Sequence, residues 1–100
     1  MIHYLSINHA KSVSDKSFGM ILKKNSEGLF FRTRFGIHTF FMKKPIDILI
    51  LDSLDKVVRI KPNLKPNKIF VWDFKFDKIV ELPEGSVNKL KIKVGDEIKY

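Results

Sequence analysis

Residues 46–60 read Ile46-Asp47-Ile48-Leu49-Ile50-Leu51-Asp52-Ser53-Leu54-Asp55-Lys56-Val57-Val58-Arg59-Ile60. The run Ile46 to Leu51 is nearly all apolar, which predicts a central strand covered on both faces. Asp52-Ser53-Leu54-Asp55-Lys56 predicts a hairpin-like turn, and Val57 to Ile60 the return strand.

The composition agrees. Among 100 residues there are 12 Ile, 9 Phe, 9 Leu and 7 Val, but one Ala. Ile, Val and Phe fit pleated surfaces, and an almost Ala-free chain is a poor helical bundle. The expectation is an all-β fold: a mostly antiparallel sandwich or jelly-roll-like barrel of about eight strands, with at most one short helix. The length allows one domain, 1–100. The absence of Cys excludes a disulfide scaffold and a thiolate metal site.

Working outward, residues 2–8 read as a first strand. Ser14 or Asp15 can cap a short helix through Phe18, Met20, Ile21 and Leu22. Asn25-Ser26-Glu27-Gly28 reads as a turn. Leu29 to Arg32, Ile37 to Met42, Ile79 to Leu82 and Glu97 to Tyr100 read as further strands. Lys61 to Lys68 reads as a loop in which Lys-Pro-Asn occurs twice, each Pro breaking the ladder. Residues 69–77 alternate, so a strand there puts Phe70, Trp72, Phe74 and Phe76 on one face. Buried, that stripe is core; lining a groove, it can grip a small apolar ligand; exposed, it can stack on sugars or bases.

The formal net charge is +8, with 19 Lys+Arg against 11 Asp+Glu. The first half carries +5 and the second +3, and the cations are 16 Lys and 3 Arg. Readers of nucleic acid favour the bidentate Arg fork, so a nucleic-acid partner is open but not favoured. The weak candidates for such contact, or for another anion, are Arg32, Arg34, Lys43, Lys44, Lys61, Lys65 and Lys68. Met1 to Ala10 lacks the pattern of a secretory signal, and no apolar run approaches the ~20 residues of a membrane span. The expected setting is cytoplasmic, without a membrane partner.

Gly36-Ile37-His38-Thr39-Phe40-Phe41-Met42, Pro45-Ile46-Asp47 and Leu51-Asp52 resemble the DUF192 family, also called UPF0127. Val80-Glu81-Leu82-Pro83 with Gly85, and Gly95-Asp96, resemble its C-terminal half, and Gly28-Leu29 its Gly-Leu segment. The resemblance is clearest over residues 28–100, with motifs in order at family-like spacing. It implies a compact, mostly antiparallel β-sandwich related to jelly rolls and implies no particular reaction. Phe41 stands where many relatives have Trp, and Lys43-Lys44 precede Pro45 where others are spaced differently.

His38, Asp47 and Glu81 share strand parity with apolar neighbours. Polar groups on an apolar face have to be paired or hydrogen-bonded. One reading is an acid/base or His-plus-two-carboxylate metal site, the basis of a hydrolase-like or metal-dependent enzyme. The other is a structural network in which Asp47 ties down a turn or loop backbone, Glu81 pairs with a Lys and His38 is satisfied in the core. The enzyme reading requires the three groups to converge on one reachable point. Walker, dinucleotide-Gly, His-Glu-x-x-His, nucleophile-elbow and zinc-finger patterns are absent, so no cofactor and no metal are expected. The leading expectation is a non-catalytic ligand-binding or accessory module whose partner is a small molecule or a protein. Its candidate pocket residues are His38, Met42, Asp47, Trp72 and Glu81.

Overall fold

A computed structural model describes residues 1–9, 28–34, 36–40 and 42–100. The helix expected through Leu22, the turn at Asn25-Ser26-Glu27 and Phe41 lie outside the described residues. The described strands are β1 (Ile2–Tyr4), β2 (Ile7–His9), β3 (Gly28–Arg32), β4 (Ile37–His38), β5 (Ile46–Leu51), β6 (Val57–Leu64), β7 (Ile69–Phe70), β8 (Lys78–Pro83) and β9 (Glu97–Lys99). Among the described residues one helix, α1, spans Ser86–Leu90. The architecture is all-β.

Five strands form the main sheet in the order β2-β3-β8-β5-β6. β5 pairs antiparallel with both β6 and β8, and all six of its residues are buried. It is therefore an interior strand covered on both faces, as its composition predicts, flanked by β8 at the middle of the sheet and β6 at its edge. β3 also runs antiparallel to β8, while β2 pairs parallel with β3. Two ribbons complete the fold: antiparallel β4-β7 and parallel β1-β9.

The period-2 alternation of the sheet sends side chains to two separate cores. Leu29, Phe31, Ile46, Ile48, Ile50, Leu64 and Ile79 form one, closed by Ile37, Met42, Phe70 and Trp72 from the β4-β7 side. Phe30, Leu49, Leu51, Val57, Val80 and Leu82 form the other, closed by Leu5, Ile92 and Ile98, with Val87 and Leu90 of α1 packed against them. Each large apolar side chain so buried contributes about 1.5–3 kcal/mol. Chain crossing between β3 and β8 is close at Gly28, where a Cβ would lie 2.5 Å from the Glu81 carbonyl oxygen.

Four sequence expectations are corrected. Residues 2–8 make two strands, not one, because the chain passes from the β1-β9 ribbon into the main sheet between them. β6 continues to Leu64 instead of ending at Ile60. Lys61 pairs with Ile48 and Leu64 with Ile46, so Pro62 and Asn63 together oppose Asp47. Such a bulge absorbs the proline without ending the strand. The strand after Gly36 stops at His38, because Thr39 turns the chain and its carbonyl accepts the Met42 amide hydrogen at 3.2 Å. The alternating stretch 69–77 is a strand only through Phe70. Beyond it Asp73 accepts the Lys75 amide hydrogen through Oδ1 at 3.1 Å, and its carbonyl accepts that of Phe76 at 3.1 Å. Local turn bonds of this kind outcompete extension. The aromatic stripe is accordingly split. Phe70 and Trp72 are core, Phe76 is half-buried and Phe74 is 73% exposed.

Candidate functional site

Asp47 is the most enclosed of the candidate polar groups, at 1% exposure. It lies on β5 with Leu49 and Leu51, on the face that α1 covers. Its Oδ1 accepts the Asn63 amide hydrogen at 2.9 Å, and its Oδ2 that of Val87 at 2.9 Å. The first bond satisfies a donor freed by the β6 bulge. The second serves an otherwise unpaired donor in the first turn of α1, where a carboxylate is also favoured by the helix dipole. Gly85 precedes the helix without a capping side chain, so Asp47 supplies from β5 what a local cap supplies elsewhere.

Glu81 is also buried, but on the opposite face. Its register partners are Leu29 and Ile48, whereas Asp47 pairs with Leu82. Side chains of directly paired residues share a face, so Glu81 faces the core of Ile48 and Asp47 the core of Leu49. His38 is exposed on the β4-β7 ribbon. Its ring stacks on Phe40 at 4.8 Å between centroids, and its Nδ1 accepts the Phe40 amide hydrogen at 3.3 Å. The sheet thus keeps the two carboxylates on opposite sides and the imidazole outside.

Met42 and Trp72 belong to the Glu81 face. Trp72 is buried, and its Nε1 donates to the Phe76 carbonyl at 2.8 Å, which closes the turn after β7. Met42 borders an open cleft of about 460 Å³ with Lys43, Lys44, Pro45, Ile46, Pro83 and Glu84. The family-like stretches 36–47 and 80–85 meet there, because Ile46 is registered opposite Pro83. Only Met42 of the five pocket candidates lines this cleft. A neighbouring cleft of about 880 Å³ is bordered by Asp47, Glu84, Val87, Ile92 and Asp96.

The seven candidate cations fall into three groups. Arg32 pairs with Asp77 through Nη2 at 2.9 Å, and Arg34 donates to the Phe74 carbonyl at 3.0 Å, so both arginines clamp the turn after β7. Lys43 and Lys44 rim the Met42 cleft. Lys61, Lys65 and Lys68 line a third cleft together with Arg59. Arg59 escaped the sequence reading, although it shares strand parity with Lys61.

A second omission is the His3–Asp96 pair. Both side chains are largely enclosed, with His3 Nε2 2.8 Å from Asp96 Oδ2. The Lys93 amide donates to the same oxygen at 2.9 Å. The His3 hydrogen bond, with the Lys93 amide second, holds the Asp96 carboxyl down at about 2. The pair closes the β1-β9 ribbon on the turn before β9. Its sequence separation hid it, the two residues being 93 positions apart.

No helix among the described residues is long and apolar enough to cross a membrane. Comparison with known proteins agrees with the motif resemblance. The profile of the DUF192 family, described as "Uncharacterized ACR, COG1430", matches residues 2–100. A UPF0127 protein of Pyrococcus abyssi is 36% identical over 91 residues, covering 85% of this chain and 77% of the relative. One from Pyrococcus horikoshii is 34% identical over 97 residues, covering 91% and 84%. Among solved structures, a protein of unknown function from Novosphingobium aromaticivorans superposes with a TM-score of 0.66 at 16% identity, covering 89% of this chain and 69% of that one. At that identity the likeness speaks for the fold alone. With the profile spanning nearly its whole length, the chain belongs to the DUF192 (UPF0127) family.

Proposed function

We propose that the chain is a non-catalytic ligand-binding module whose ligand is a small molecule with an apolar body and one anionic group. The observation that carries this reading is the Met42 cleft. Met42, Pro45, Ile46 and Pro83 give it apolar walls, and at the rim Lys43 and Lys44 outnumber the one carboxylate, Glu84. Its volume of about 460 Å³ is in the usual range for small-molecule sites, and a few charged groups around apolar walls are their usual lining. Met42 suits such a wall, since a thioether side chain adapts to different shapes.

The non-catalytic part of the reading is supported by the separation of His38, Asp47 and Glu81. A buried carboxylate whose two oxygens each accept a backbone amide is committed to structure. A cytoplasmic location is part of the same proposal. A chain without Cys has no disulfide to form and needs no oxidising compartment. Cell fractionation of the full-length protein tests that point.

A thermal-shift screen tests the binding proposal, with sugars, nucleotides and amphipathic carboxylic acids as probes. The expected result is stabilisation by the acids, at about 2.7 kcal/mol when the ligand is at about a hundred times its Kd. Lys43→Glu/Lys44→Glu should abolish it. A screen without a stabilising acid, or stabilisation that survives this double substitution, overturns the proposal.

A further inference from the structure

Four cations and no carboxylate line one cleft of about 390 Å³ between β6 and the loop leading to β7. The cations are Arg59, Lys61, Lys65 and Lys68, and Leu64, Ile69 and Phe70 form the apolar part. Several basic side chains outside the cleft sit beside acids, among them Arg32 with Asp77, Lys75 with Asp73, Lys78 with Asp55 and Lys99 with Glu97. The four cations of the cleft have no acid partner among the described residues. Like charges gathered in one concavity raise the local potential, and an incoming anion relieves it.

The local structure fixes this arrangement. The Arg59 guanidinium lies 4.8 Å from the centre of the Phe70 ring, and its Nη1 donates to the Val71 carbonyl at 3.3 Å. Each Lys-Pro-Asn unit ends on an Asn in the left-handed region, Asn63 at φ 54° and Asn67 at φ 62°. Asn tolerates that conformation better than most residues, and it serves the bulge of β6 at Asn63 and the turn after β6 at Asn67. Thr39, buried behind the loop, anchors its far side. Its Oγ1 donates to the Lys65 carbonyl at 2.6 Å and accepts the Lys68 amide hydrogen at 2.9 Å.

We propose that this cleft binds a small molecule carrying a di- or triphosphate group. A monoanion leaves most of the four positive charges uncompensated, whereas a polyphosphate matches them. Arg59 offers a planar fork for two phosphate oxygens, and the three lysines act as mobile point charges. Ile69, 70% exposed at the edge of the cleft, offers an apolar shelf to an organic group attached to the phosphates. The site shares no lining residue with the Met42 cleft, so the two proposals fail or stand separately.

The test is an amide-resolved NMR titration of the full chain with inorganic triphosphate, and in a second arm with adenosine triphosphate. The expected result is a saturable shift at Arg59, Lys61, Lys65 and Lys68 with Met42 and Ile46 unmoved. Affinity should fall about tenfold between about 50 mM and about 300 mM salt. Lys65→Glu/Lys68→Glu, with its spectrum still dispersed as in the native chain, should weaken binding about tenfold or more, and Lys43→Glu/Lys44→Glu should not. Tighter binding of the nucleotide assigns an organic polyphosphate, and equal binding assigns the phosphates alone. Absence of a saturable shift, or equal affinity in the Lys65/Lys68 variant, overturns the proposal. So does a short thymidine oligonucleotide that takes the same residues far more tightly, which would make the cleft part of a nucleic-acid surface.

Discussion

The carboxylate of Asp47 accepts the amide hydrogen of Val87 at 2.9 Å, which ties β5 of the main sheet to the first turn of α1. The other oxygen of Asp47 holds the β6 bulge through Asn63 at the same distance. A single buried side chain therefore joins the β5-β6 hairpin to a helix 40 residues further along the chain.

Replacing it should be costly. Asp47→Ala leaves two backbone donors without their acceptor, and each hydrogen bond to a charged group contributes about 1.5–3 kcal/mol. The expected destabilisation is about 3 kcal/mol or more in urea denaturation. Asp47→Asn keeps one acceptor oxygen but turns an NH2 group toward a backbone N–H. It should fall between the native protein and the alanine variant, with the Asn63 or Val87 amide resonance displaced. Native-like stability of Asp47→Ala would contradict this role.

Gly28→Ala should destabilise through overpacking. The added methyl would sit 2.5 Å from the Glu81 carbonyl oxygen and 2.6 Å from Leu82 Cδ2, and a backbone oxygen inside a five-stranded sheet has little freedom to withdraw. The cost expected is about 1–3 kcal/mol. Equilibrium denaturation measures it, and an unchanged midpoint would show that β3 and β8 are not packed this closely.

The two halves of the aromatic stripe should behave differently. Trp72→Phe removes the hydrogen bond to the Phe76 carbonyl, at a cost of about 1 kcal/mol. Phe74→Ala removes a ring that is 73% exposed and should change stability by no more than about 0.5 kcal/mol. Trp72 is the sole tryptophan, so the native emission should be that of a buried indole, and the stability of both variants is compared by circular dichroism in urea. A larger cost at Phe74 than at Trp72 would restore the continuous strand that the sequence pattern suggests.

Acid sensitivity should localise to Asp96. Its carboxyl is held below the ordinary value of 3.8, at about 2, chiefly by His3. A depressed carboxyl favours the folded state while it is ionised, so its contribution is fully present above about pH 4 and is lost as the pH falls through about 2. Stability measured from about pH 5 downward should fall across that window in the native protein. Asp96→Asn should start lower and lack this component of the fall. An identical acid profile for the two proteins would remove the His3–Asp96 pair from the account.

The main lines of the fold are legible in the sequence because β5 declares itself: six consecutive residues, five of them Ile or Leu, have a place only between two cores. The end of the stretch at Phe70 is not legible. Alternation over residues 69–77 is a perfect strand pattern, and the Asp73 turn that interrupts it depends on side chain-to-backbone bonds that periodicity does not encode. Helix α1 was missed for a related reason. Five residues carry little helical signal of their own, and the carboxylate that serves its first turn stands on β5, 40 residues away. The candidate site was legible only in part. Parity correctly places Asp47 with Leu49 and Glu81 with Ile79, but relating the two needs the register of β5 against β8. That register puts Asp47 opposite Leu82 and thereby sends the carboxylates to different faces. The lysines of the Lys-Pro-Asn loop were legible as a charge run, whereas their convergence with Arg59 depends on the left-handed bends at Asn63 and Asn67.

The central claim is that the Met42 cleft is a ligand site, and a methyl-resolved NMR titration with the amphipathic acids selected by thermal shift tests it most directly. The account predicts saturable shifts at the Met42 and Ile46 methyl groups, lost in Lys43→Glu/Lys44→Glu while the rest of the spectrum stays native. Saturable binding that leaves Met42 and Ile46 unmoved would contradict it.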